Sequence, residues 1–487
     1  MSGRDMMTRA KKWGLLIGPL LFGLILLLPS PELFTKEAWR VLAVAVFMLC
    51  WWVTEAVPLP VTALLPMVLL PFLQVMPISD AAAPYASPIV FLFMGGFMIA
   101  LAMERWDLHR RIALNIVRIT GTNANGIILG FMLATAALSM WISNTATTVM
   151  MLPIALSVVS LLRQTPAGAS ESPMRNFALS MMLGIAYAAN IGGTATIIGT
   201  PPNVVFAGIL REEFGMEVTF ARWMILGIPF AVLMLFVTYG FLVKILHPNR
   251  LGTFAGAREM IEQEVKDLGP ISTGEKRTLV VFGTTALLWI FRSNLVKALP
   301  FLSLSDAGIA MLATVILFIV PVDWPKGHFI LQWSDTEKLP WGILLLFGGG
   351  LSLAGALSDT GIIDLIGQSF SGQQRATFWI ILGLTAVSLY LTEIMSNVAL
   401  VTIFLPVVGA IALGAGIDLL TVMIPVTLAS SCAFMLPMST PPNAIVFASG
   451  YITVPSMVRA GFVLNLIAIG LTAALAFWLI PIIFEPS

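Results

Sequence analysis

Long apolar stretches, separated by short polar or charged segments, run through all 487 residues of the chain. The chain repeatedly runs for the roughly 18 residues a helix needs to cross hydrocarbon without an ionisable group, and runs such as GLLIGPLLFGLILLLP lack the period-two alternation of membrane barrel strands. Candidate spans fall at 13–30, 37–56, 58–75, 87–103, 126–160, 177–209, 223–246, 278–296, 305–322, 341–358, 376–413, 418–449 and 458–484. Two of these, 126–160 and 376–413, are longer than one crossing and carry Ser-Asn near the middle. Read as re-entrant hairpins that enter and return on one side, they leave about eleven transmembrane helices in an all-α polytopic membrane protein.

The polar positions repeat. Ser143-Asn144 maps onto Ser396-Asn397 with an offset of 253 residues, and Gly95-Gly96 maps onto Gly348-Gly349 with the same offset. GTPPN at 199–203 maps onto STPPN at 439–443 with an offset of 240, the difference matching an extra loop, RQTPAGASESPMRN, in the first half. An odd number of crossings between the copies inverts one half relative to the other, the inverted-repeat architecture of many secondary transporters. Residues 1 to 85 show no partner copy at this level and read as scaffold.

Charge orients the chain. Arg4, Arg9, Lys11 and Lys12 precede the first span, and the segments 104–120, Arg163 to Arg175 and Lys244 to Arg277 fall on the same side. The positive-inside rule then places the N-terminus in the cytoplasm and, with eleven crossings, the C-terminus outside. The first span is too long for a signal-peptide core and no small-residue cleavage pattern follows it, so it reads as an uncleaved helix. In 250–270, Ala257, Ile261, Val265 and Leu268 recur at helical spacing, as expected of a helix lying in the interface or of a solvated loop helix; 104–120 looks similar. A net charge of +1 argues against a nucleic-acid partner, and two cysteines, Cys50 and Cys432, make no disulfide framework or sulfur-based metal site.

Polar groups at membrane depth survive only where protein or a wet cavity surrounds them, so the two Ser-Asn turns imply such a cavity. Hydroxyls recur one helical turn earlier: Ser139 before Ser143, and Thr392 before Ser396. These uncharged oxygens suit a hard cation such as sodium, while the N-termini of the half-helices attract an anion. Pro-Pro within 199–203 and 439–443 must break the spans that carry it, which frees the carbonyls of Gly199 and Ser439 for the cations and turns the hydroxyls of Thr200 and Thr440 toward the anion. For one isolated motif, Ser or Thr bonding to its own helix and a simple proline kink are the plainer readings; duplication in register argues against both. Lys and Arg are absent from these motifs, so an anion would be neutralised by bound cations and helix dipoles. Glu55 and Glu393 are the chief intramembrane carboxylates, read as functional candidates or helix braces, with the brace favoured for Glu393. His109, His247 and His328 have no metal-ligand spacing, and neither a nucleophile elbow nor a phosphate loop is present, so the chain does not read as an enzyme.

Taken together, WWVTEAVPLPVTALLP (51–66), SNTAT (143–147), GTPPN (199–203), SNVAL (396–400) and STPPNAI (439–445) resemble the divalent anion/sodium symporter family of sodium-coupled dicarboxylate, citrate and sulfate transporters. The resemblance runs from about residue 37 to the end. It implies a homodimer in the bacterial inner membrane whose protomers each carry a mobile transport domain past a scaffold as an elevator. It further implies one sodium site at Ser139, Ser143, Asn144 and Gly199 and a second at Thr392, Ser396, Asn397 and Ser439. Substrate contacts are implied at Asn144, Thr145, Thr200, Ser396, Asn397, Thr440 and Pro441, with Val398 standing where many members have threonine. On this reading residues 1–85 are scaffold helices and 86–222 the first transport half. Residues 223–340 are scaffold with the interfacial helix, 341–455 the second transport half, and 456–487 the C-terminal helix. The expected activity is sodium-coupled import of succinate, malate or fumarate. A sodium-coupled citrate or sulfate symporter and a sodium-independent dicarboxylate exchanger are the alternatives; a channel or an anion receptor is less well supported.

Overall fold

The computed structural model describes residues 9–121, 123–164, 171–249, 251–252, 255–301, 303–372 and 376–484. Expectations that rest on Arg4, on the centre of the extra loop at 165–170, and on the side chains of Arg163 and Ala257 lie outside the described residues. Among the described residues nine helices are long and apolar enough to cross a membrane, joined by shorter apolar helices. Every stretch predicted to span is helical, but several divide. Residues 126–160 resolve into Ala124–Ser139 and Asn144–Gln164, and 376–413 into Thr377–Thr392 and Asn397–Ala415, each pair joined by a four-residue turn. The arms of each pair pack on one another, giving two helical hairpins with Ser-Asn at the tips.

The predicted breaks are present. The span 177–209 becomes Glu171–Gly193 and Pro201–Phe214, and 418–449 becomes Leu419–Ser430 and Pro441–Phe447. Pro-Pro starts the second helix each time because proline needs no hydrogen bond for its missing N–H in the first turn and already has a helical φ. Thr200 (φ −144°, ψ 141°) and Thr440 (φ −141°, ψ 151°) precede the prolines in nearly the same extended conformation, as the steric clash of a following proline requires. A short antiparallel ribbon, Pro321–Asp323 with His328–Phe329, is the β structure among the described residues. Its three-residue run is too brief for periodicity to have signalled it.

The two halves pack by exchange. Helix Pro201–Phe214 of the first half lies on Asn397–Ala415 and Leu419–Ser430 of the second, and Pro441–Phe447 lies on Asn144–Gln164 and Glu171–Gly193 of the first. The paired glycines do likewise. A Cβ at Gly95 would meet Ala310 at 2.6 Å, whereas one at Gly348 would meet Tyr85 at 2.4 Å and one at Gly349 the Ala63 carbonyl oxygen at 2.0 Å. Ala310 belongs to helix Asp306–Ile319, which precedes the second glycine helix, and Ala63 belongs to the segment preceding the first. This correspondence extends the repeat toward the N-terminus: Lys36–Thr54 and Leu59–Phe72 occupy in the first half the place of Thr273–Ala298 and Asp306–Ile319 in the second. Part of residues 1–85 therefore has a counterpart that sequence comparison alone did not reveal.

Glu55 closes the helix Lys36–Thr54. It adopts a left-handed backbone (φ 46°, ψ 40°), and its carboxylate lies 3.6 Å from Lys11 Nζ on the first helix, an exposed brace between two helix ends. The two amphipathic segments form helices Leu108–Ile119 and Ala255–Asp267, packed on each other and tied by Arg110 to Glu264 at 2.6 Å. Ile261 is buried and Val265 half-buried in that contact, so the apolar stripe of 255–267 meets protein over part of its width. Arg111 pairs with Glu275 at 2.5 Å and donates to the Leu268 and Gly269 carbonyls, anchoring the start of helix Thr273–Ala298.

Close approach at glycine predicts an asymmetric tolerance to alanine. Gly349→Ala is expected to cost about 2 kcal/mol through overpacking against Ala63. Gly383→Ala, in helix Thr377–Thr392 with open space around its Cβ direction, should be neutral or up to about 1 kcal/mol stabilising. Thermal unfolding of the two purified variants, compared with the parent protein, reads this difference directly.

Candidate functional site

The hairpin tips and the broken helices meet. In the first half, Ser139, fully buried at the end of one arm, donates its hydroxyl to Asn144 Oδ1 at 2.5 Å across the tip. In the second half, Thr392, equally buried, donates to Asn397 Oδ1 at 2.6 Å, and its hydroxyl also lies 2.8 Å from the Ser430 carbonyl. The spacing of hydroxyl and Asn along the chain thus closes into the same oxygen pair twice.

The first break loop comes onto its pair. A Cβ at Gly193 would lie 2.7 Å from Asn144 Oδ1 and 3.0 Å from the Gly199 carbonyl oxygen, so these two oxygens flank one point beside the bare glycine. Gly199 is equally constrained, with the Gly193 carbonyl oxygen 2.5 Å from where its Cβ would stand. The structure therefore gathers Ser139, Asn144 and Gly199. Ser143 stays at the tip, its hydroxyl accepting from the Ala146 N–H at 3.2 Å. In the second half Ser396 makes no such cap, and Ser439 joins the break loop by donating its hydroxyl to the Leu436 carbonyl at 2.7 Å. The carbonyls of Gly199 and Ser439 accept no hydrogen bond among the described residues.

Sequence reading passed over the last residue of each TPPN motif. Asn203 Nδ2 donates toward the carbonyls of Gly193 (3.3 Å), Thr194 (3.4 Å) and Thr196 (2.8 Å). Asn443 Nδ2 does the same toward Ala433 (3.0 Å), Leu436 (3.1 Å) and the Ser439 hydroxyl (3.0 Å). Each buried amide thereby staples its own broken backbone, satisfying carbonyls that have left the helix. The period of 240 between GTPPN and STPPN carries Gly193 to Ala433 and Thr196 to Leu436, so the staples are copies and were legible as such.

Two side chains on helix Glu171–Gly193 tie the halves together. Asn190 donates to the Thr440 hydroxyl at 3.1 Å and toward Asn443 Oδ1 at 3.4 Å, and Tyr187 donates to the Phe434 carbonyl at 2.8 Å while its ring packs on Phe434. From Asn144, a continuous path of contacts runs through Gly193 and Asn190 to the second break, and from there to Thr392 and Asn397.

Glu393 proves to be the brace of that second break. Its carboxylate accepts from the N–H groups of Phe434 and Met435, both at 2.9 Å, from Leu436 at 3.1 Å, and from Asn465 Nδ2 at 2.8 Å. Three of these bonds fall on Oε1 and one on Oε2, and with almost no exposure the carboxylate is committed to holding the loop. Met140 stands at the corresponding place in the first half, where its backbone carbonyl accepts from the Thr196 hydroxyl at 2.5 Å. The same joint is made by a carboxylate in one half and by a carbonyl in the other.

Exposure grades across the assembly. Ser139, Thr392, Gly199, Thr200, Ser439, Thr440 and Val398 are buried; Ser143, Asn144, Ser396 and Asn397 are half-buried; Thr145 and Pro441 are exposed. Helices of 21, 14 and 19 residues start at Asn144, Pro201 and Asn397, with a shorter one at Pro441. Their N-termini offer partial positive charge and free N–H groups without any side-chain cation. Thr200 forms no side-chain cap, and its hydroxyl makes no hydrogen bond among the described residues; Thr440 accepts from Asn443 N–H and from Asn190, leaving its own proton to donate. Such an arrangement offers clustered neutral oxygens to cations and hydroxyls with helix N-termini to an anion.

Known proteins resemble this chain over nearly its whole length. Residues 9–484 match the family described as the sodium:sulfate symporter transmembrane region. The sodium-dependent dicarboxylate transporter SdcS of Staphylococcus saprophyticus is 39% identical over 472 residues, covering 96% of this chain and 91% of that protein. SdcS of Staphylococcus aureus strain USA300 is 38% identical over 474 residues with the same coverage. Two solved structures share the fold at low identity. Neisseria gonorrhoeae MtrF, described as illuminating a class of antimetabolite efflux pumps, superimposes with a TM-score of 0.57 at 12% identity, covering 97% of this chain and 96% of its own. The Alcanivorax borkumensis YdaH transporter gives 0.57 at 14%, covering 91% and 98%.

Replacing the Glu393 carboxylate by an amide removes a charge-assisted acceptor and sets an NH₂ group against at least one N–H donor. Glu393→Gln is expected to destabilise the protein by about 3 kcal/mol. Met140→Ala, at the matching position of the first half, leaves the backbone joint intact and should cost less. Midpoints of thermal unfolding in detergent compare the two, and equal loss would show that the carboxylate is not the brace.

Proposed function

The chain belongs to the sodium:sulfate (divalent anion:sodium) symporter family, and from that membership we propose that it is a sodium-coupled symporter importing small dicarboxylates, with succinate, malate and fumarate as the expected cargo. The observation that carries the reading is the doubled oxygen pair, Ser139 with Asn144 and Thr392 with Asn397, each set against a break loop that presents an unengaged carbonyl. Sodium prefers neutral and anionic oxygens, and no cationic side chain belongs to either cluster. The first cation site comprises Ser139, Ser143, Asn144 and Gly199. The second comprises Thr392, Ser396, Asn397 and Ser439.

The anion lies between the tips, met by Asn144, Thr145, Ser396, Asn397, Thr200, Thr440 and Pro441. Its two negative charges are balanced by the cations behind the tips and by the helix N-termini. Coupling follows from shared groups. Asn144 and Asn397 serve a cation through Oδ1 and the anion through the remaining amide and the adjoining N–H groups, so either ion orients the Asn for the other. In binding a cation, the Ser139 and Thr392 hydroxyls rotate their protons away from Asn Oδ1 and present lone pairs with it. Val398, buried where Thr145 of the other tip is exposed, gives the second tip an apolar wall and one hydroxyl fewer.

In this proposal the hairpins are re-entrant and the halves are inverted in the membrane, with the N-terminus cytoplasmic and the C-terminus external. The protein works as a homodimer in a bacterial inner membrane. The hairpins and broken helices within 86–222 and 341–455 move as an elevator against scaffold helices drawn from 1–85, 223–340 and 456–487. The name given to the family keeps sulfate as the second reading of the cargo; a tricarboxylate is a further competitor.

Uptake of radiolabelled succinate into proteoliposomes should require an inward sodium gradient and be competed more strongly by malate than by sulfate. Equal uptake in sodium-free buffer would overturn the symport reading, and stronger competition by sulfate would reassign the cargo. Asn144→Ala and Asn397→Ala are each expected to abolish uptake while leaving the purified protein folded. Gly193→Ala, whose methyl would press on Asn144 Oδ1, should raise the sodium concentration needed for half-maximal uptake roughly tenfold, the size of a typical coupling energy.

A further inference from the structure

A groove of about 370 Å³ runs between helices Thr273–Ala298 and Asp306–Ile319, and none of its lining residues belongs to a hairpin tip. Its wall is apolar along most of its length, with Val280, Leu288, Leu312 and Ala313 among the lining residues, and Lys276 and Arg277 stand at one end. Val280 (65% exposed) and Leu312 (53%) face outward, so the groove opens to the side of the molecule. From Lys276 to Leu288 the helix rises about 18 Å, close to the roughly 15 Å of one leaflet's hydrocarbon.

The two cations mark the polar end. Neither side chain makes an ion pair or hydrogen bond among the described residues. The adjacent carboxylate, Glu275, is already engaged by Arg111 and by the Ser272 N–H, so it does not neutralise them. Val320 lines the same groove, and the ribbon that follows it carries Trp324, 74% exposed, a residue type that favours the boundary between hydrocarbon and water. An uncompensated cation pair above an apolar channel one leaflet long matches the two parts of an anionic phospholipid.

We propose that this groove binds one anionic phospholipid, its phosphate on Lys276 and Arg277 and an acyl chain along the channel past Val280 and Ala313. Its lining shares no residue with the ion and substrate clusters. A second copy of the chain fits the observations less well, because an isologous contact here would bring Lys276 and Arg277 of both copies toward a shared face with no acid to meet them.

Native mass spectrometry of the detergent-solubilised protein, titrated with dioleoylphosphatidylglycerol, tests the assignment. One lipid per chain should be retained in preference to dioleoylphosphatidylcholine. Lys276→Gln combined with Arg277→Gln should weaken retention roughly 30-fold, each cation contributing a factor of about five. Ala313→Phe, which fills the channel and leaves both cations in place, should also release the lipid. Equal retention of the two lipids, or retention unchanged in the charge variant, overturns the proposal. Competition by glycerol 3-phosphate as effective as by lipid would reduce the site to a headgroup contact, and an altered oligomer mass in Ala313→Phe would assign the groove to a second copy; either result rejects the bound chain.

Discussion

A polypeptide that leaves helical conformation inside a bilayer must still satisfy its backbone, and this requirement governs the whole arrangement. The protein meets it twice with the same device. An asparagine one turn into the helix that follows each break reaches back with its amide to collect carbonyls from the loop, Asn203 in one half and Asn443 in the other. What those amides do not collect is as informative. The carbonyls of Gly199 and Ser439 accept no hydrogen bond among the described residues, and that of Gly199 flanks Gly193 together with Asn144 Oδ1.

Around this constraint the halves have diverged without losing their geometry. Met140 and Glu393 occupy matching places, yet one lends a carbonyl to a threonine hydroxyl and the other gathers three backbone N–H groups and an asparagine. A carboxylate so enclosed stands behind the second tip only, so the two clusters are alike in shape and unlike in what supports them. Gly199, crowded by the Gly193 carbonyl, and Ser439, which carries a side chain in the same motif position, diverge in the same manner.

Much of this was legible in the chain because polar residues in an apolar background are conspicuous. The doubled Ser-Asn, the hydroxyl four residues before it and the paired prolines located both hairpins and both breaks, and the structure brings Ser139 to Asn144 and Thr392 to Asn397 as that spacing required. Harder to see were features that depend on contact across the repeat. Asn190 and Tyr187 stand in ordinary helical surroundings, and nothing local announces that they reach Thr440 and Phe434 some 250 positions away. Nothing in the sequence sets Gly193 apart from the other small residues of its helix; the approach of Asn144 gives its bareness a reason. The counterpart of the N-terminal helices was hidden too, since Lys36–Thr54 and Thr273–Ala298 share a place in the packing and no motif.

The exchange of partners between halves bears on how the chain is made. Helix Pro201–Phe214 finds its bed on Asn397–Ala415, and Gly95 finds Ala310, so surfaces finished early in synthesis wait for elements that emerge about 200 residues later. At a translation rate of roughly 5–20 residues per second, that delay is on the order of 10–40 s. During it the first Ser-Asn turn and its break loop are without the neighbours that cover them in the finished fold. A nascent chain in that interval needs shelter, from the insertion machinery or from its own first helices, before the ribosome has supplied the other half.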